Sequence, residues 1–249
     1  RFNNDTTSWA WDTLLPYFKN MENNSRLDNE FHGKTGSLMV SDSIHIDQLT
    51  KDFIKTIEEL GVPYTDDFNG SSQRGVGFYQ FMNRDGKRSS AAYAFITPEK
   101  NNPKLDINLN SNIEKIIIEK NKAIGVEYRN SKGELKKKFA DKEIILAAGS
   151  FITPKLLMLS GIGNAEELKK YEIPCIADLP GVGENLIDHP ECLILAKANG
   201  PYGYYKQGVG WRMIKNGIQF MLLGSGLVNS TGVEGGAFIN PIDQDALPS

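Results

Sequence analysis

Closely spaced glycines mark where a sequence could hold a phosphate, and three Gly-x-Gly pairs here are near misses: Gly161-Ile162-Gly163, Gly181-Val182-Gly183 and Gly224-Ser225-Gly226. A dinucleotide loop needs a third glycine at fixed spacing, a buried strand before it and a helix opening after it. Only then do main-chain N–H groups converge on the pyrophosphate. None of the three pairs has that setting, so the dinucleotide fingerprint is absent from this chain. A different small-residue cluster ends the stretch "KEIILAAG", where Ala147, Ala148 and Gly149 follow a continuous apolar run. At the carboxyl edge of a sheet, residues this small let a flat ligand lie on the backbone. They equally let a helix pack tightly on the strand, and the local pattern keeps both readings. Thr153-Pro154 follows, a hydroxyl suited to an N-cap and a proline suited to the first helical position.

Other chemistry-bearing residues are sparse. His32, His45 and His189 are too far apart in sequence for a local metal motif, and no metal is expected. His189, within Asp188-His189-Pro190, reads as a hydrogen-bonder that fixes its loop. Cys175 and Cys192 form neither a CxxC nor a disulfide framework, so a reducing compartment is the default. The 249 residues are 40% hydrophobic and 24% charged with a net charge of -3, the balance of an ordinary water-soluble chain. Lysines and arginines are scattered except at Lys136-Lys137-Lys138, which reads as the solvated face of a hairpin; no nucleic-acid partner is expected. No apolar run has the length of a membrane span. The first residue is Arg1, so the lack of a targeting segment carries no weight.

The elements that must position these groups read as follows. Residues 8–22 form an amphipathic helix with a break or kink expected at Pro16. Residues 31–40 form a glycine turn leading into a strand. Residues 46–61 form a helix with Leu49, Phe53, Ile57 and Leu60 on one face and Gly61 as its stop. A helical turn ends at Pro98. Strand-like runs follow in "KLDINLN", "NIEKIIIEKN", "KAIGVEYRN" and twice in "LKKKFADKEIILAAG". The last of these, Glu143 to Ala148, suits a strand covered on both faces. "PKLLMLS" and "NAEELKKY" are helices, the second with Asn164 as cap and Glu167 at capping-box spacing. "GWRMIKNGIQFMLL" is helix-like, and "GVEGGAFIN" closes the pattern. This is a mixed α/β arrangement.

"LAAGSFITPKLLMLSGIG" resembles the second conserved pattern of the glucose–methanol–choline (GMC) oxidoreductases, which are FAD-dependent flavoenzymes: small residues, Ser/Thr-Pro, two aliphatics, then Ser-Gly-aliphatic-Gly. The likeness runs through nearly the whole chain and in the family's order. "WAWDTLLPYFKNMEN", "DDFNGSSQRGVGFYQ", "DGKRSSAAYAFITP", "AIGVEY", "LPGVGENLIDHP" and "GSGLVNSTGVEGGAFI" are each similar to a family segment. Within the family the nearest likeness is to bacterial choline-dehydrogenase-like and alcohol-dehydrogenase-like members.

The resemblance implies an α/β fold: part of an FAD-binding Rossmann-like domain (86–188) and part of an antiparallel-sheet substrate domain, in two segments (1–85 and 189–249). It implies that Ala147, Ala148 and Gly149 lie against the FAD adenosine beside Thr153, and that the main chain of Ile113 pairs with the adenine. It places the GxGxxG unit before Arg1 and the catalytic histidine after Ser249, so none of the three histidines here is assigned as the base. Glu191 falls where choline-oxidising members carry a carboxylate. It reads either as a surface glutamate on a strand or as the anchor of a cationic head group, with Tyr202, Tyr204 or Tyr205 nearby.

The implied reaction is oxidation of an alcohol to the aldehyde by hydride transfer to flavin, with oxygen, a quinone or another carrier as electron acceptor. The family's lyase and photodecarboxylase chemistries, and a non-catalytic binding or structural module, stay open as alternatives. The expected location is the cytoplasm, with peripheral membrane attachment and oligomeric state left open. The 249-residue chain alone is expected neither to retain FAD tightly nor to turn over. Stoichiometric flavin in the purified chain, with alcohol-dependent dye reduction, would overturn this.

Overall fold

A computed structural model describes residues 8–196, 198–200, 202–240 and 242. Two compact units emerge, one built from the residues up to Leu105 together with those from Ala196 on, the other from Asp106–Leu195.

The first unit opens with α1 (Trp11–Met21), in which Asp12 in the first turn and Lys19 in the last complement the helix dipole. The break expected at Pro16 does not occur. Proline removes only the bond to the Asp12 carbonyl, and Asp12 is exposed, so water can take that bond. Strand β1 (Glu22–Asn24) runs parallel to β2 (Leu38–Asp42), with Glu22 opposite Leu38. In the turn between them, a Cβ at Gly33 or Gly36 would overlap the main chain of Lys19 or Met21. That closeness encloses a polar cluster. Buried Asn24 donates to Glu22 Oε1 (2.9 Å) and Gln80 Oε1 (2.8 Å) and accepts from the Arg26 and Leu27 N–H groups. His32 lies between Glu22, 3.0 Å from Nδ1, and Asp67, 3.2 Å from Nε2.

Helix α2 (Gln48–Glu59) is capped by Asp47, which accepts from the Leu49 N–H at 2.9 Å. Then come β3 (Gly75–Phe78), β4 (Gln80–Phe81, antiparallel to β2), and the hairpin β5 (Asn83–Arg84) and β6 (Lys87–Arg88). The hairpin turns through Asp85-Gly86, both with positive φ. The helical turn expected before Pro98 is a π-helical turn, Ala92–Ile96.

The second unit is an antiparallel meander, β7 (Asn112–Glu119), β8 (Lys122–Arg129) and β9 (Leu135–Phe139), in spatial order β7-β8-β9. Lys120 and Asn121, both left-handed, make the tight turn between β7 and β8. The lysine run is a solvated hairpin face: Lys136 pairs with Glu134, Lys137 with Glu127 and Lys138 with Asp106. "KLDINLN" is not a strand. Its Asp and Asn side chains favour local bonds, such as Asn108 donating to Asp106, and Asn110 turns left-handed.

Helix α3 (Gly149–Leu159) packs on β7 through buried Leu156 and Ile116. Ser160 stitches the contact, accepting from the Ile116 N–H (2.8 Å) and donating to the Leu156 carbonyl (2.5 Å). After β10 (Ile162–Gly163) comes α4 (Ala165–Lys170), capped by Asn164, which accepts from the Glu166 and Glu167 N–H groups. The reciprocal half of the capping box is not made, because Glu167 pairs with Lys170 at 2.6 Å. β11 (Ala177–Asp178) lies parallel to β10.

The chain then returns to the first unit. Helix α5 (Gly210–Leu223) ends on left-handed Gly224, a 3-10 turn spans Leu227–Asn229, and β12 (Gly235–Phe238) pairs antiparallel with β3. Both strands are rich in glycine for a steric reason. A Cβ at Gly77 would overlap the Thr65 carbonyl, and one at Gly236 the Tyr79 hydroxyl. Across Gly235, α2 presents Thr50 and Ile54, and Ile54 is its buried residue. Of the expected Leu49-Phe53-Ile57-Leu60 face only Ile57 is half-buried and the rest is exposed, because the bare strand draws in the adjacent stripe. Beside it sits Glu234, 1% exposed. Its carboxylate accepts from Thr50 Oγ1 (2.8 Å), the Asp47 N–H (3.2 Å) and the hydroxyls of Ser230 and Tyr204.

Burial pushes the Glu234 carboxyl up, but the donors outweigh it and hold it below its ordinary value. Burial, then the bond to Glu234, pushes Tyr204 up to about 12. The depressed carboxyl adds stability above the ordinary carboxylate range and loses it as pH falls through the lowered value. The raised phenol loses stability as pH rises from 10 to about 12. Tyr204→Phe should cost about 1–3 kcal/mol at neutral pH and flatten the alkaline loss. Urea unfolding across pH checks it; an unchanged alkaline slope would contradict the assignment. Tyr64 and Tyr79, also raised by burial, leave a residual slope.

Candidate functional site

The run Glu143 to Ala148, expected as a buried strand, has no ladder partner among the described residues. Ile144 and Leu146 are half-buried, while Ile145 between them is 78% exposed. An apolar run specifies that both faces be covered, not which strand supplies the ladder. Ala147, Ala148 and Gly149 are all exposed at its end.

Gly149 is the first residue of α3, with Ala148 as N-cap, so the helix begins four residues ahead of Thr153. Pro154 sits inside it, at the cost of one bond to the exposed Ser150 carbonyl. Thr153 still caps, from within: its Oγ1 accepts the Ala148 N–H at 3.2 Å. Gly149 has φ +85°, which a Cβ makes costly, and a Cβ placed there would meet nothing within 4 Å. The junction thus presents bare main chain to open space.

Ile113 lies on β7, the edge strand of its sheet, half-buried and paired with Tyr128. The register shifts between Ile113 and Lys115, the kind of irregularity by which a strand re-aims its groups. Ile113 and Glu114 share a cleft of about 440 Å³ with Ile152 and Lys155 of α3. Ile113 and the first turns of that helix therefore meet at one surface, and Ala148 is tied to the same helix through Thr153. On α3 a broader apolar cleft of about 1140 Å³ is lined by Phe151, Pro154, Met158, Leu168, Tyr171 and Leu186.

The residues implicated in holding an adenosine fit that task. A purine is flat, and both its polar edges can be read by main-chain groups. What it needs is a backbone without bulky side chains and an unpaired strand edge. Ala147–Gly149 offer the first, β7 the second. The Ala148 N–H is taken by Thr153, so the groups left to a ligand are its carbonyl and the neighbouring amides.

Other expected groups are placed differently. Glu191 is exposed on an extended segment of the second unit, whereas Tyr202, Tyr204 and Tyr205 belong to the first. The Tyr204 hydroxyl is committed to Glu234, and Lys206 Nζ lies 5.2 Å from the Tyr205 ring centre. The His189 side chain is fully exposed, 3.9 Å from Asp188; the bond that shapes the loop is its main-chain N–H to Asp188 Oδ1 at 2.8 Å. Gly161 and Gly183 are turn residues crowded by Pro174 and Met158, Gly224 ends α5 and Gly226 precedes only the short 3-10 turn, so none of these three pairs opens an α-helix. Among the described residues no group of His, Cys, Asp and Glu is arranged to hold a metal. The Glu234 constellation escaped the sequence reading. Its signal was one acidic residue set among apolar and glycine neighbours, "GVEGGAF", after a long stretch without any acid.

Comparison with known proteins gives the family. The GMC oxidoreductase family model matches residues 2–191, and the chain belongs to that family. It is 37% identical over 247 residues to "Alcohol dehydrogenase [acceptor]" of Pseudomonas putida and 33% identical over 244 residues to "Oxygen-dependent choline dehydrogenase" of Cronobacter sakazakii, covering 97% of this chain in each case. The chain spans 44% of the length of each of these curated relatives. Among solved structures, formate oxidase of Aspergillus oryzae, studied for its FAD modification, superposes with a TM-score of 0.80 at 29% identity, over 93% of this chain and 42% of that one. An FAD-dependent oxidoreductase from Chaetomium thermophilum gives 0.79 at 26% identity, over 90% and 42%. The mixed α/β assignment stands with these neighbours.

Thr153→Val removes the acceptor of the Ala148 N–H and should cost about 0.5–1 kcal/mol, the range of a lost cap. Amide exchange at Ala148 should quicken severalfold, and Thr153→Ser should restore it. Unchanged exchange in the valine variant would contradict the cap.

Proposed function

We propose that this chain supplies the adenosine end of an FAD site and part of the substrate chamber in an enzyme that oxidises an alcohol to the aldehyde. The observation that carries the reading is the bare junction at Ala147–Gly149, facing open space at the start of the helix that packs on the Ile113 strand, in a chain of this family. Alignment along 97% of the chain with an alcohol dehydrogenase supports the reaction class.

Bound FAD would supply the hydride acceptor. The chain's own residues do the holding. Ala147, Ala148 and Gly149 keep side chains away from the adenosine, the Ile113 main chain meets the adenine edge, and Thr153 fixes the Ala148 peptide. None of the described side chains is assigned the proton-abstracting role, which requires a base within hydrogen-bond reach of the alcohol. Glu191 is the residue assigned to a cationic head group, and the electron acceptor is oxygen or a carrier such as a quinone.

In the full-length protein, flavin absorption and dye reduction with primary alcohols, choline among them, test the reaction. Stoichiometric flavin with alcohol-dependent reduction is expected, and flavin without any alcohol turnover would remove the activity. Glu191→Gln should raise KM for choline far more than for a neutral alcohol; equal effects on both would remove the cation assignment. Ala148→Leu, which projects a bulky side chain into the open junction from a residue of ordinary negative φ, should lower flavin retention while leaving the fold intact by circular dichroism; unchanged retention would remove the adenosine assignment.

A further inference from the structure

We infer that helix α5 is a docking surface for an anionic lipid bilayer. Although Phe220 is half-buried, the helix also turns a full apolar stripe outward, unlike a surface helix of a water-soluble protein. Its less exposed side includes Asn216, which donates to the Gln207 carbonyl at 3.1 Å, and Gln219, which lies against Gly226. Trp211, Ile214, Ile218, Met221 and Leu222, at helical spacing i, i+3, i+7, i+10 and i+11, form the outward stripe and are 48–83% exposed.

Charge selects the occupant. Between Glu191 and Glu234 the sequence has no Asp or Glu, yet it has Lys197, Lys206, Arg212 and Lys215, in a chain whose net charge is -3. Arg212 and Lys215 sit beside the apolar stripe and are exposed. Tyr205, exposed and approached by Lys206, adds an interfacial aromatic just ahead of the helix. A basic and aromatic rim around an apolar stripe matches headgroups over hydrocarbon. A second copy meeting this face about a two-fold axis would instead bring like charges together. At 14 residues the helix is far too short to span a bilayer, and none of the described helices qualifies, so the mode is attachment in the interface plane.

The test uses the full-length protein with vesicles of phosphatidylcholine, alone or mixed with phosphatidylglycerol. Co-flotation with the mixed vesicles only, weakening with salt, is expected. Arg212→Gln with Lys215→Gln should weaken it roughly 30-fold. Met221→Gln with Leu222→Gln should abolish it while leaving the melting temperature and dye reduction unchanged. Met221 should be open to hydroxyl-radical oxidation in free protein and protected on anionic vesicles. No flotation, or flotation indifferent to the Met221 and Leu222 changes, overturns the inference. So does Met221 protection without vesicles, whether from a dimer seen by sedimentation or from the remainder of the polypeptide.

Discussion

A buried carboxylate organises the first unit. Taking the Glu234 charge out of water carries a penalty that only converging donors offset, and four groups converge on it. They come from the amide and hydroxyl of the first turn of α2, from the residue closing the 3-10 turn, and from a tyrosine in the loop ahead of α5. None of these could be displaced without stranding a donor or the charge. The arrangement requires β3 and β12 to come within main-chain distance of their neighbours. Their glycines permit that, and the ring of Phe68, packed against Tyr79 and Phe238, fills the space left over.

The second unit solves a different problem. On the proposed reading the groups that meet the cofactor there are main-chain groups, and side chains serve mainly to hold them. Ser160 ties β7 to α3 at one end of the helix and Thr153 ties Ala148 to it at the other. The peptide planes at the bare junction and the Ile113 strand are thus anchored to one rigid element. A site that recognises its ligand by backbone, as proposed here, leaves side-chain identity unimportant except where bulk would intrude, and alanine and glycine are the residues that meet that condition.

Much of this was legible in the sequence, and the misreadings share a cause. The Asn164 cap, the β7-β8-β9 meander, the lysine face and helices α2, α4 and α5 follow from local propensity and periodicity. So does the small-residue cluster, though not its exact conformation. The start of α3 was misplaced because Thr-Pro imitates a helix start, whereas a left-handed glycine four residues earlier is the actual one. The Glu143–Ala148 run and "KLDINLN" were read as strands from composition, but a strand needs a partner, and partnership is non-local. The packing face of α2 was misread for a similar reason: the bare strand it lies on is nearly 190 residues away in sequence. Glu234 itself was invisible to a search for clustered chemistry, because its partners are scattered along the chain.

The pairing of β12 with β3 also sets an order of events during synthesis. Residues 106–195 are contiguous, so that unit can close as soon as its last residue leaves the ribosome. The other unit is interrupted by the whole of it and stays open until residues 234–238 arrive. Closing so long a loop carries a large entropy cost before any contact repays it, so this step is the slow one. Until then α2 and β3 wait with their apolar and donor groups unmatched, a nascent state in which chaperones have the most to protect.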